Sequence, residues 1–174
     1  MRRFVAEAAG LDNLVNNAVL FHYSPLVQTT QSMVAKMIDV GLKGALWSLQ
    51  AATPYLISRG GGCIINLSSL VAHVGVRESA ACTVIKGALE ALTRQQAVEL
   101  GPCGIRVNAI APGPVETPGA MTLIDKKGWE ARRALTPLKR IATVEEIGAA
   151  AVFLASDDAR SIGGVSLKVH GAIT

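Results

Sequence analysis

The sequence predicts a parallel α/β fold, and three observations carry that expectation. Segments of helical period and short strand-like segments alternate along the chain, the order that builds a parallel sheet covered by helices. The strand-like segments, residues 11–18, 63–67 and 105–111, are short apolar runs suited to burial under helices. Each of them ends in turn-forming residues, Asn16-Asn17, Ser68-Ser69 and Pro112-Gly113-Pro114.

In chain order, residues 3–9 look like the tail of a helix closed by Gly10, a residue type that accepts the backbone twist of a helix C-terminus. Residues 11–18 follow as a buried strand. After a polar loop, apolar positions recur at helical spacing over residues 30–58. Gly41, Gly44 and Pro54 interrupt that pattern, which therefore reads as two helices or one kinked helix. Gly60-Gly61-Gly62 leads into the second strand, residues 63–67. Residues 80–100 form a helix stopped by Gly101-Pro102, and residues 105–111 a third strand. A mostly polar segment spans residues 116–140. A helix over residues 144–155, capped near Thr143, and a last strand over residues 165–169 complete the chain. No repeat, low-complexity tract or linker composition divides it, so residues 1–174 read as one domain.

At 174 residues, with 50% hydrophobic residues and a mean hydropathy of +0.37, the chain has material for one real core and is not disordered. No apolar stretch approaches the ~18 residues of a membrane span, and Met1-Arg2-Arg3-Phe4 lacks the apolar run of a secretory signal, so the expected location is cytoplasmic. Cys63, Cys82 and Cys103 are too few and too irregularly spaced for a disulfide framework or a metal site. The net charge of +4 is dispersed and aromatics make up 4% of residues, which argues against nucleic acid as a partner.

The residues that carry chemistry lie around the second strand and the helix after it. Ser69 stands thirteen residues before Cys82, and Cys82 four before Lys86. The four-residue offset puts 82 and 86 on one helix face, where an ammonium lowers the pKa of a neighbouring acid. This spacing resembles the active site of the short-chain dehydrogenase/reductase family, with Cys82 at the position of the family's tyrosine. In that family the serine binds the substrate oxygen, the tyrosine hydroxyl passes a proton, and the lysine binds the nicotinamide ribose and lowers the tyrosine pKa. A thiol ends one bond beyond Cβ, a whole ring short of a tyrosine hydroxyl, and a general acid must come within hydrogen-bonding reach of its target.

Further segments support the resemblance. Asn16-Asn17-Ala18-Val19 is similar to the family's Asn-Asn-Ala-Gly segment beside the adenosine of the cofactor, with Val19 in place of glycine. Asp39-Val40-Gly41-Leu42-Lys43-Gly44 resembles the segment carrying the family's fourth catalytic residue, with Gly41 in place of asparagine. Residues 106–117 resemble the strand and Pro-Gly turn under the nicotinamide, and Pro112, Gly113, Val115 and Thr117 are the contacts this implies. Residues up to about Arg140 then correspond to a substrate-covering lid. Val169-His170-Gly171-Ala172 matches a region of subunit contacts, with His170 where the family has aspartate; His170 reads as a surface or interface residue. His22 and His73 have no evident partner in the sequence and read as ordinary polar positions.

The resemblance implies NAD or NADP as cofactor, a small alcohol or carbonyl as substrate, and the C-terminal part of a Rossmann-like doubly wound parallel sheet with about four strands. A glycine-rich turn after a first strand, which holds the cofactor pyrophosphate on a helix N-terminus, is not found. Gly60-Gly61-Gly62 precedes a strand and reads as a loop. The chain is therefore expected to be an N-terminally truncated member of the family, inactive or a fragment, with an apolar strand edge at residues 11–18. Two alternatives are a non-catalytic protein that associates with itself or with intact relatives through residues 46–56 and 80–100, and thiol chemistry at Cys82 activated by Lys86.

Overall fold

The structure, a computed structural model, describes residues 10–173. The helix tail expected over residues 3–9 lies outside the described residues. Four strands, β1 (Asn13–Asn16), β2 (Gly62–Leu67), β3 (Ile105–Pro112) and β4 (Ser166–Val169), pair in parallel in the order β1-β2-β3-β4. Parallel neighbours need a crossover between them. Helices α1 (Gln31–Ile38) and α2 (Gly44–Ser58) connect β1 to β2, and α3 (Ala80–Leu100) connects β2 to β3. The last crossover carries α4 (Pro118–Met121), α5 (Lys126–Leu135) and α6 (Val144–Ala155).

Strand alternation divides the core into two layers. Leu14, Ile64, Ile105 and Val107 turn toward Leu49, Ala52 and Leu56 of α2 and Leu100 of α3. Cys63, Ile65 and Ile110, one residue out of phase, turn the other way, toward Leu154 of α6 and Ala159. Fully burying each such aliphatic side chain contributes roughly 1.5–3 kcal/mol, so the sheet is held from both faces. The exception is β1, which pairs with β2 on one side and whose Val15, opposite in phase to Leu14, is exposed among the described residues.

Within the described residues the expected strands and helices are present, with informative differences. The first strand is confined to Asn13–Asn16 and the last begins at Ser166. The helical stretch over residues 30–58 bends through a π-helical turn at Asp39–Lys43, where the Gly44 amide reaches back to the Asp39 carbonyl. The polar segment over residues 116–140 folds into α4 and α5. Helix α6 starts with a reciprocal cap: the Thr143 hydroxyl accepts from the Glu146 amide and the Glu146 carboxylate accepts from the Thr143 amide. Two of the three glycines have a packing cause. A Cβ on Gly62 would lie 2.4 Å from the Asp12 carbonyl oxygen, and one on Gly61 2.6 Å from that of Gly104. Three backbone segments cross there with no room for side chains.

Candidate active site

The carboxyl ends of β2 and β3 and the first turns of α3 form one constellation. Strand β2 stops at Leu67, and Ser68 and Ser69 turn the chain into a short 3-10 segment, Leu70–Ala72. The Ser69 hydroxyl accepts from the Val71 amide at 3.3 Å, which leaves its proton to donate outward. On α3, Cys82 and Lys86 are one turn apart, as their spacing required.

Lys86 is 8% exposed, and its Nζ donates to the Leu67 carbonyl at 2.5 Å. It is no surface charge. Burial lowers its pKa from the ordinary lysine value, with the neighbouring Cys82 acting in the opposite sense. The thiol of Cys82 packs with Met37, Val71 and Ile85. Burial pushes its pKa up, while Lys86 and, to a lesser degree, Tyr23 pull it back only in part. At neutral pH it is a protonated thiol, a poor nucleophile, which counts against activated thiol chemistry.

Gly41 lies inside the π-helical turn, against α3: a Cβ there would come 3.0 Å from Ile85 Cγ2. The π turn brings the helix backbone close to the residue before Lys86, and π turns of this kind concentrate at functional sites.

Beneath these residues runs a buried polar network that sequence reasoning missed. Glu90, one turn beyond Lys86 and 8% exposed, accepts on one carboxylate oxygen from Ser68 Oγ, from Ser166 Oγ and from His73 Nε2, each at 2.8 Å. It ties α3 to the end of β2, to β4 and to the loop after Ser69. His73 thus has a partner in the buried Glu90 carboxylate and is not an ordinary polar position. Alongside, Asn66 accepts from Asn16 Nδ2 and donates to Thr93 Oγ1, both at 2.9 Å.

His170 also departs from expectation. It is 8% exposed within the chain, with neither ring nitrogen hydrogen-bonded, so it is not a surface residue. Burial lowers its pKa from the ordinary histidine value, with Lys168 and His73 adding to the effect. Its backbone fills the space over the Pro-Gly turn, where a Cβ on Gly113 would meet His170 Cβ at 2.7 Å. The Gly113 amide donates to the Val169 carbonyl at 3.0 Å, Val115 bridges to Ala142, and the Thr117 hydroxyl caps α4.

Tyr23, in the loop after β1, is the second functional candidate the sequence did not reveal. It is 48% exposed. Partial burial raises its pKa from the ordinary tyrosine value, Cys82 raises it further, and Arg132 of α5 opposes. Fifty-nine residues separate Tyr23 from Cys82, and the only sequence signal was an aromatic in a polar loop at the carboxyl end of a strand.

The residues present fit the nicotinamide side of a dinucleotide better than its phosphate side. Lys86 is desolvated with its ammonium fixed at the end of β2, and Pro112, Gly113, Val115 and Thr117 form a tight turn at the carboxyl end of β3, where open α/β sheets bind ligands. Asn16, Asn17 and Ala18 lie at the corresponding end of β1, although the Asn16 amide is engaged by Asn66. Among the described residues no glycine-rich turn follows a strand into a helix. None of their helices is long and apolar enough to cross a membrane.

A family model described as enoyl-(acyl carrier protein) reductase matches residues 1–174. An uncharacterized oxidoreductase of Methylorubrum extorquens is 38% identical over 171 residues, covering 97% of this chain and 68% of the relative. The trans-4-hydroxycyclohexanecarboxylate dehydrogenase of Sinomonas cyclohexanicum is 37% identical over 164 residues, 94% of this chain and 61% of its own length. A crystal structure of gluconate 5-dehydrogenase from Burkholderia cenocepacia, in complex with NADP and tartrate, superimposes with a TM-score of 0.93 at 31% identity, covering 98% of this chain and 68% of that one. The chain thus spans about two thirds of the length of the proteins it resembles.

Proposed function

The chain belongs to the short-chain dehydrogenase/reductase family of oxidoreductases, and from that premise we propose that it builds the substrate side of an NAD(P)-dependent site for a small alcohol or carbonyl, one in which Cys82 is not the proton donor. The observation that carries this reading is Lys86: a lysine removed from water and fastened to the end of β2, one turn from position 82. A surface lysine with no site role has no reason to bear that desolvation. A bound dihydronicotinamide would supply hydride. Ser69 would donate a hydrogen bond to the substrate oxygen, and the Lys86 ammonium would stabilise negative charge developing next to it. Pro112, Gly113, Val115 and Thr117 would carry the nicotinamide side, with Asn16, Asn17 and Ala18 toward the adenosine.

The first test is thermal unfolding with and without millimolar NADH or NADPH. At ten times Kd a ligand bound only by the folded state adds about 1.4 kcal/mol, a rise of about 3–6 °C for a chain of this size. A midpoint that ignores both cofactors overturns the reading.

A second reading is favoured by the outer faces of α2 and α3. Trp47 is 60% exposed, and Leu46, Ile57, Val84 and Val98 lie exposed on the same two helices. These faces suit association with a second copy or with an intact relative. Light scattering of the wild type and of Trp47→Glu tests it: a dimer that the substitution dissociates supports association, and a monomeric wild type refutes self-association.

A further inference from the structure

We infer that Glu90 is a positioning residue of this site: its carboxylate grips the chain on both sides of Ser69 and so holds the Ser69 hydroxyl in a fixed relation to Lys86. The inference rests on the oxidoreductase reading above, from which it takes Ser69 and Lys86 as the groups that meet the substrate oxygen.

Cys82, Lys86 and Glu90 follow one another at four-residue steps and so share one face of α3. Lys86 is joined to the end of β2 at two points. Its Nζ donates to the Leu67 carbonyl at 2.5 Å, and its own main-chain carbonyl lies 3.3 Å from the Ser68 hydroxyl. That same hydroxyl donates to Glu90 Oε1 at 2.8 Å, the shorter of its two contacts. Lys86 and Glu90 therefore meet at one side chain, that of the residue just before Ser69. After Ser69 the chain makes a tight turn: the Ser69 carbonyl accepts from the Ala72 amide at 3.0 Å, and the Leu70 carbonyl from the His73 amide at 2.9 Å. Val71 of this turn packs against Cys82 and Ile85, a non-directional contact that buries the turn without fixing its rotation. The directional hold comes from Glu90, because the oxygen that accepts from Ser68 also accepts from His73 Nε2 at 2.8 Å. A third bond to that oxygen, from Ser166 Oγ at 2.8 Å, fixes the carboxylate against β4, so that it does not drift with the turn.

Charge is what lets one oxygen serve three donors, since hydrogen bonds to an ionised acceptor are roughly twice as strong as neutral ones. A carboxylate taken out of water for packing alone is disfavoured against an apolar residue of its size; what Glu90 supplies in return is direction, at residues 68 and 73. Glu90 itself does not act on the substrate. It works through Ser68 and His73, and losing it lets Ser69 and Lys86 move relative to each other while the Pro112–Gly113 turn is untouched.

The experiment compares the wild type with Glu90→Gln, which keeps the size and loses the charge, and with Ser68→Ala, which removes only the arm before Ser69 and carries the test if Glu90→Gln does not fold. Leu56→Val, a core change at the amino end of β2, controls for lost stability. All are assayed well below their unfolding midpoints, using NADPH or NADH with cyclohexanone as probe. A displacement of about 1 Å between reacting groups costs about 10² in rate, so kcat is expected to fall by up to about 10²-fold in both site variants with little change in KM. The control should turn over like the wild type. A readout independent of turnover is acetylation of lysines by acetic anhydride, followed by mass spectrometry with the exposed Lys127 as internal reference. Once the end of β2 is released, Lys86 should be acetylated several-fold faster relative to Lys127, and in Leu56→Val it should not. Site variants that match the control in either kcat or Lys86 labelling overturn the inference. A wild type that is stabilised by cofactor but reduces no ketone overturns it while sparing the cofactor site. Absence of cofactor stabilisation in the wild type overturns the oxidoreductase reading and this inference with it.

Discussion

Replacing Glu90 by alanine probes the network that sets the register of α3 against the sheet. One carboxylate oxygen accepts from Ser68, Ser166 and His73 at 2.8 Å each, and Glu90 is 8% exposed. Hydrogen bonds to a charged group contribute about 1.5–3 kcal/mol each. The loss is less than their sum. Ser68 Oγ already has a second acceptor in the Lys86 carbonyl at 3.3 Å, and His73 is partly open to water. Alanine also removes a carboxylate whose desolvation was costly, which offsets part of the loss. The net expectation is destabilisation of about 2–4 kcal/mol, or about 4–16 °C in Tm for a chain of this length. Glu90→Gln, which keeps an acceptor oxygen but not the charge, should fall between. Urea unfolding with an unchanged m-value measures the difference cleanly. An alanine variant within about 0.5 kcal/mol of the wild type, the range of ordinary surface substitutions, would refute the assignment of Glu90 as the tie between α3, β2 and β4.

Thr143→Ala removes one arm of the cap on α6 and should cost about 1 kcal/mol in urea unfolding, with Thr143→Ser close to the wild type. Gly113→Ala places a Cβ 2.7 Å from His170 Cβ and 2.9 Å from its Cα, a clash with backbone that no rotamer relieves; a loss of about 1–3 kcal/mol is expected, and a neutral effect would show that β3 and β4 are not packed this closely. His170 gives a pH dependence of defined sign. Its folded-state pKa is held below the ordinary value of 6.5, so the unfolded chain takes up the proton first. Stability should be fully present above about pH 6.5 and decline as pH falls toward the lower folded-state value. His170→Phe should remove that component, and identical pH–stability curves for the two proteins would refute it.

Elements with strong local punctuation were legible in the sequence. Residues 80–100 and 144–155 form helices at the expected bounds because Gly101-Pro102 stops the first and Thr143 caps the second through contacts within one turn. The π turn at Asp39–Lys43 was hidden because Gly41 and Gly44 break the helical period without stating how the backbone fills the gap. Strand β1 is shorter than its apolar run because its pairing, among the described residues, is set by β2 and not by the run itself. In the site, Ser69 and Lys86 could be singled out since one ends a strand and the other stands one turn from position 82. His73 and Glu90 could not: their partners lie far along the chain or across the sheet, and a residue type alone does not reveal where a loop returns.

Position 82 ties these features together. A cysteine there leaves α3 without a side chain long enough to reach a substrate, yet the field that would tune an acid remains, because Lys86 is anchored by the Leu67 carbonyl independently of what occupies position 82.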